Sequence, residues 1–200
     1  LPDGVPAAHH GMLGGAVVFF GISPKTRRRF VVQSLEGGGW GGRPMEDGEA
    51  GTVSVCQGDV RNGSIEGIEL KCPVMVVGRE LRRDSCGAGK FRGGLGIDMT
   101  VRNFVDGRWN LARSGRTECA PWGLWGGGVG DAEEKFLKLE GQNDWKKIEA
   151  NRYPVGKNAT AWVRTGSGGG WGDPLERDPA MVQWDVIEEL VSEKAARESY

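Results

Sequence analysis

Histidine is almost missing from this chain. The 200 residues hold two, His9 and His10, side by side. A serine hydrolase needs a histidine base near a nucleophile elbow, and no G-x-S-x-G is present. Neighbours on an extended segment point to opposite faces, so the pair does not readily converge on one serine or one metal. A metal site made wholly from this chain would need both histidines plus distant carboxylates. Ordinary loop histidines are the simpler reading, and a site completed by another chain stays open. No C-x-x-C pair joins Cys56, Cys72, Cys86 and Cys119, which argues against a zinc ribbon or a dithiol redox motif. They read instead as reduced, buried thiols of a cytoplasmic protein. Long apolar runs are also missing: the longest, residues 16–20, falls far short of the ~20 residues of a membrane span. Nor is there an excess of one charge. With 26 basic and 27 acidic residues the net charge is −1, which points away from nucleic acid and anionic membranes as partners.

Glycine is what the chain has in abundance, 35 of 200 residues, against an average share of about 7%. It follows no triplet period, which excludes collagen, and eight tryptophans argue against disorder. The glycines gather in four clusters, at residues 37–44, 84–96, 121–128 and 166–172. Strand-like stretches lie between them: residues 12–22 and 30–33 as a hairpin, then 52–55, 65–70, 73–77, 97–101, 101–109 with a turn at Asp106-Gly107, 136–139 and 161–164. After Asp173-Pro174 the pattern changes. Asp178 is a good N-cap with Pro179 at the first helical position, and Val182, Val186, Ile187 and Leu190 recur at helical spacing. Ser192 can cap a second short helix. The expected fold is β-rich α+β: glycine-loop-connected sheets over residues 1–175, then a short C-terminal helical tail over 176–200.

Glycine clusters invite a phosphate loop, and the best candidate fails. In Gly87-Ala88-Gly89-Lys90 the Walker serine or threonine position holds Phe91, and Asp84 occupies the first glycine position. Strand-like sequence on both sides leaves no helix whose N-terminus would hold a phosphate. Two polar constellations remain, Asp59-Val60-Arg61-Asn62 and Arg83-Asp84-Ser85. Asp59, Arg61, Asn62, Arg83 and Asp84 can fix a glycine loop or line a substrate chamber, because Arg offers a planar donor fork and Asp an acceptor. Capping of their own turns is the plainer alternative. Lys25, Arg27, Arg28 and Arg29 read as solvated charge at a hairpin end.

Several of these stretches resemble the hydantoinase B/oxoprolinase family. They are Gly38-Gly39-Trp40-Gly41-Gly42-Arg43-Pro44, Gly58-Asp59-Val60-Arg61-Asn62, the run from Leu81-Arg82-Arg83-Asp84-Ser85 to Gly96, Pro121-Trp122-Gly123-Leu124-Trp125, and Gly168-Gly169-Gly170-Trp171-Gly172-Asp173-Pro174. Cys86 departs from the small residue common at its position, and Gly156-Lys157 stands where a Gly-Asp turn is usual. The resemblance implies the C-terminal portion of a longer subunit, either a fragment or a separately encoded half. That subunit would work in a cytoplasmic hetero-oligomer with a hydantoinase A-type, ATP-binding subunit and with the N-terminal portion of the hydantoinase B-type subunit. Such enzymes hydrolyse cyclic amides or carboxylate ketones. ATP phosphorylates an unreactive oxygen of substrate or bicarbonate. The resemblance places ATP with Mg on the partner and a divalent metal in the N-terminal portion. It implies no cofactor in this chain and no activity for the chain alone. A purely structural scaffold is the competing expectation.

Overall fold

The computed structural model describes residues 4–10, 15–53, 63–112, 118–148 and 152–200. Among these residues nine strands form two antiparallel sheets. The first holds β1 (Gly15–Ile22), β2 (Arg29–Glu36), β5 (Gly107–Ala112) and β8 (Tyr153–Val155) in the order β2-β1-β5-β8. The second holds β3 (Val74–Leu81), β4 (Ile97–Asn103), β6 (Glu134–Lys138), β7 (Lys146–Lys147) and β9 (Thr160–Arg164) in the order β3-β4-β9-β6-β7. Alternate residues of both sheets meet in one core: Val17 and Phe19 of β1, Trp109 and Leu111 of β5, Ile97, Met99 and Val101 of β4, Ala161 and Val163 of β9. The period-2 pattern puts these on one face of each sheet, so the arrangement is a sandwich. Trp109 is fully buried, and its indole N–H donates to Asn103 Oδ1 at 3.0 Å, which satisfies its one polar group inside the core.

The β1–β2 hairpin and the change to helix after Asp178 stand as the sequence suggested. The β-rich fold with a short helical tail is the observed one. Two local expectations change. Residues 65–70 form a helix, α1 (Ile65–Lys71), because Ser64 caps it by accepting the Gly67 N–H at 3.0 Å. The apolar pair Ile65 and Ile68 fits helical i,i+3 spacing as well as it fits a ragged strand, and Ile68 packs on the core. The run 101–109 is divided between β4 and β5 by bends at 104–106, so the expected turn begins two residues early and Gly107 already opens β5. Thr52 makes an isolated bridge to Gly38, and residues 54 and 55 of the strand expected there lie outside the described residues.

The glycine clusters, distant in sequence, come together as a slab of backbone beside the sandwich. The segment 166–172 runs through its middle. On one side Gly39 N–H donates to Gly166 O and Gly42 N–H to Gly169 O; on the other Gly87 N–H donates to Gly168 O, and Leu124 N–H to Gly170 O. Trp171 and Phe91 exchange two backbone hydrogen bonds. Glycine is needed here for closeness rather than for handedness. A Cβ on Gly168 would lie 1.7 Å from Trp40 O, and one on Gly170 1.8 Å from Ala88 O, although neither residue has positive φ.

The tail follows. A short 3-10 turn at Pro174–Glu176 leads to α2 (Pro179–Ile187), capped by Asp178 through Ala180 N–H, and then to α3 (Glu193–Ser199), capped by Ser192. The buried residue of α2 is Asp185, while Trp184 and Ile187 are exposed. The apolar spacing read from the sequence therefore forecasts a helix but not its buried face.

Candidate functional site

The stretch from Arg82 to Gly96 connects β3 to β4, and Arg82, Asp84 and Arg92 in it bond to neighbouring loops and to the tail. Arg82 is buried. Its guanidinium donates to Ala132 O at 2.9 Å and Thr165 O at 3.2 Å and pairs with Asp131 at 2.7 Å. Burial pulls its pKa down from the ordinary arginine value, and Asp131 partly restores it. Ser85 Oγ donates to Arg82 O and accepts the Gly96 N–H, which fixes both ends of the loop.

Further along, Arg92 and Arg177 share two carboxylates. Arg177 makes a two-pronged contact with Asp47, at 2.7 and 2.8 Å, and reaches Asp185 Oδ2 at 2.7 Å. Arg92 Nε donates to Asp185 Oδ1 at 2.9 Å, and Arg92 N–H donates to Asp47 Oδ1 at 2.8 Å. Both arginines and Asp185 are buried. Burial opposes the charge on Arg177, but hydrogen bonding to Asp47 and the fields of Asp47 and Asp185 outweigh it and push its pKa up. Cys86 and Tyr200 border this cluster. Burial pushes the Cys86 thiol up to about 11, against an opposing pull from Arg92. Burial also raises the Tyr200 phenol, with Cys86 next in effect, and the Tyr200 ring lies 5.8 Å from the Arg177 guanidinium. The network ties three separated pieces together: the Asp47 loop, the 82–96 loop and the tail.

The residues singled out from the sequence fare differently. Asp84 sits at positive φ (61°); its N–H donates to Leu190 O at 3.1 Å and its carboxylate accepts the Ser192 N–H at 2.6 Å. Its contacts are thus with the tail. Arg83, next to it, is exposed and makes no hydrogen bond or ion pair among the described residues. Asp59, Arg61 and Asn62 lie outside the described residues. Asp47, Arg82, Arg92, Arg177 and Asp185 escape sequence reasoning. The signal that could have found them is charge inside glycine-rich loops and one acid on a helix face otherwise taken for core.

The tryptophans beside the glycines divide. Trp40 donates its indole N–H to Val53 O at 2.9 Å, and Trp171 packs on Phe91. Trp122 and Trp125 are exposed, and Trp125 holds positive φ (55°). Of the cysteines, Cys72 is buried, Cys86 partly buried and Cys119 exposed, all with free thiols, so the expectation of uniformly buried thiols is corrected; Cys56 lies outside the described residues. Among the described residues no three of His, Cys, Asp and Glu gather as a metal site. No described helix is long and apolar enough to cross a membrane.

The slab also takes up amides of this loop. The Gly87, Gly93 and Gly94 N–H groups, which a phosphate would need, donate to Gly168 O, Gly87 O and Trp40 O, and the loop runs on into β4 with no intervening helix.

The profile of the hydantoinase B/oxoprolinase family matches residues 1–174. The chain belongs to this family. Its relatives include the B-type subunit of a putative D-/L-hydantoinase from a Pseudomonas strain, 30% identical over 92% of this chain and 31% of that protein. The acetophenone carboxylase delta subunit of Aromatoleum aromaticum is 31% identical over 85% of this chain and 29% of its own length. Among solved structures, the ATP-dependent caprolactamase of Pseudomonas jessenii superposes with a TM-score of 0.80 at 25% identity, over 98% of this chain and 35% of that one. An acetone carboxylase superposes with a TM-score of 0.79 at 22% identity, which shows a shared fold. The chain spans about a third of the length of the family members it matches.

Proposed function

We propose that this chain is the C-terminal part of a hydantoinase B-type subunit in a cytoplasmic, ATP-dependent, multisubunit enzyme that hydrolyses a cyclic amide. The observation carrying this reading is the match to a hydantoinase B-type protein over 92% of the chain. The caprolactamase points the same way, since a lactam is also a cyclic amide. In this reading ATP with Mg is held by a hydantoinase A-type partner, and a divalent metal belongs to the N-terminal portion of the B-type subunit. The present residues supply shape. The slab gives a rigid wall, because its amides and carbonyls bond one another rather than solvent. Arg82 and the Asp47–Arg92–Asp185–Arg177 network hold that wall to the sandwich and the tail. Arg83 is the residue of the sequence-derived set left free to meet substrate or a neighbouring subunit, and Asp84 positions the tail behind it. Asp59, Arg61 and Asn62 are retained as candidates for the same chamber. The domain division, a core to residue 175 and a tail from 176, belongs to the same proposal.

A second reading, ketone carboxylation, is favoured by the similarity to the acetophenone carboxylase delta subunit. One experiment separates the two. The complete complex is supplied with ATP and either a panel of hydantoins and lactams or ketones with bicarbonate. ATP-dependent ring opening supports the first reading, and ATP- and bicarbonate-dependent loss of ketone supports the second. ATP-dependent turnover by this chain alone would overturn both.

A further inference from the structure

The outer face of the four-stranded sheet carries a feature that the slab and its ion network do not use. Phe19 and Trp109 point inward, so Phe20 and Arg108, their neighbours along β1 and β5, point outward. In register, Phe20 stands between Val31 of β2 and Arg108 of β5, Arg108 stands next to Pro154 of β8, and Ile22 stands opposite Arg29. Of these, Phe20, Ile22, Arg29 and Arg108, together with Asp106 and Arg152, border an open groove of about 700 Å³. Ile22 and Val31, at 58% and 57% exposure, leave an apolar strip in water there.

Among the described lining residues, three arginines outnumber one acid, Asp106. Arg29, Arg108 and Arg152 make no hydrogen bond or ion pair among the described residues. The Asp106 carboxylate, the acid among them, is engaged by the Lys157 N–H at 2.8 Å. Five arginines elsewhere, Arg79, Arg82, Arg92, Arg164 and Arg177, each have a carboxylate within 3.0 Å, whereas exposed Arg83 resembles the groove arginines in having none. The hairpin basic run, read from the sequence as solvated charge, therefore ends beside two further arginines supplied by β5 and the segment before β8. Guanidinium forks match planar carboxylates, and an apolar floor between them matches hydrocarbon side chains. Every described lining residue belongs to this sheet or its turns, so no described helix N-terminus helps to hold a free phosphate.

We propose that this groove is the docking surface for an acidic, apolar-tipped segment of the subunit polypeptide lying outside these 200 residues. This rests on the reading of the chain as about a third of a hydantoinase B-type subunit. The uncovered two thirds need contact area on this piece, and the groove pairs apolar area with an excess of positive charge.

Zero-length carboxylate-to-amine coupling in the complete complex tests it. Arg29→Lys, Arg108→Lys and Arg152→Lys keep the charge and introduce reactive amines. The docked groove should show two things by mass spectrometry. The new lysines should couple to Asp or Glu side chains on polypeptide outside this chain. They should also lose acetylation by a soluble acylating reagent, compared with Lys194, whose side chain is 83% exposed. Acetylation equal to that of Lys194 means an open groove and overturns the inference. Coupling to a second copy of this chain overturns it too. So does protection without any carboxylate coupling, which would mean a cover of different chemistry. None of these readouts uses turnover. An assembled, active complex with an open groove sinks the docking surface alone, whereas a covered groove in a complex without ATP-dependent turnover sinks the functional reading alone.

Discussion

At the scale of single residues, backbone closeness sets the strongest constraints. Gly168 and Gly78 both lack a positive φ and differ in surroundings. A Cβ on Gly168 meets the Trp40 carbonyl, whereas one on Gly78 meets nothing within 4 Å. Gly168→Ala should destabilise the fold by about 3 kcal/mol or more, and Gly78→Ala should stay within about 0.5 kcal/mol. Denaturant unfolding midpoints of the two variants check this. Cys86 gives a pH-dependent counterpart. Its thiol ionises near 11 in the folded protein against an ordinary value of 9.0. Between those values the unfolded chain has lost a proton that the folded chain keeps. Stability contributed by this group is complete below about 9 and lost as the pH rises toward 11. Cys86→Ala should flatten the fall in melting temperature between pH 9 and 11, and an unchanged profile would remove Cys86 from the account. At neutral pH the same thiol should react with an alkylating reagent far more slowly than the exposed Cys119.

At the scale of elements, the helical tail shows how a charge can replace an apolar face. α2 docks through Asp185, which meets Arg92 and Arg177 together. Removing one member of a buried ion network leaves the others desolvated and unpaired. Asp185→Ala should therefore cost about 3 kcal/mol and expose the tail to proteolysis, while Ile187→Ala, at an exposed position, should cost little. Limited proteolysis read at residues 176–200 distinguishes the two. The tail and its caps at Asp178 and Ser192 are legible in the sequence because capping is a local signal. The docking face is not, because Arg92 lies far from Asp185 in the chain and nothing on the helix itself marks an acid as its anchor. α1 departs from the strand expected there for a related reason: its apolar spacing fits two periods, and the Ser64 cap decides between them.

At the scale of the whole molecule, the question is whether this chain takes part in chemistry or only holds shape. Arg83 and Asp84 separate the alternatives. Arg83→Ala in the assembled complex should lower ATP-dependent turnover with assembly unchanged, since Arg83 supports no described contact. Asp84→Ala should loosen the link to Leu190 and Ser192 and lower stability first. Unchanged turnover in Arg83→Ala would favour the scaffold reading, and size-exclusion profiles recorded alongside activity make the comparison.

Local composition, caps, spacing and motifs were enough for the β-rich class, the helical tail, the failure of the phosphate loop and the family. That the four glycine clusters form one slab emerges only from the closed fold. Each cluster alone is compatible with a flexible turn, and the need for glycine arises where two backbones approach closer than a Cβ permits. The fold likewise joins Asp47, Arg92, Asp185 and Arg177 into one buried network, and sets Arg29, Arg108 and Arg152 around one groove that holds a single described acid. Charge is counted along a sequence, but its pairing depends on distances that exist only after the sheets have closed.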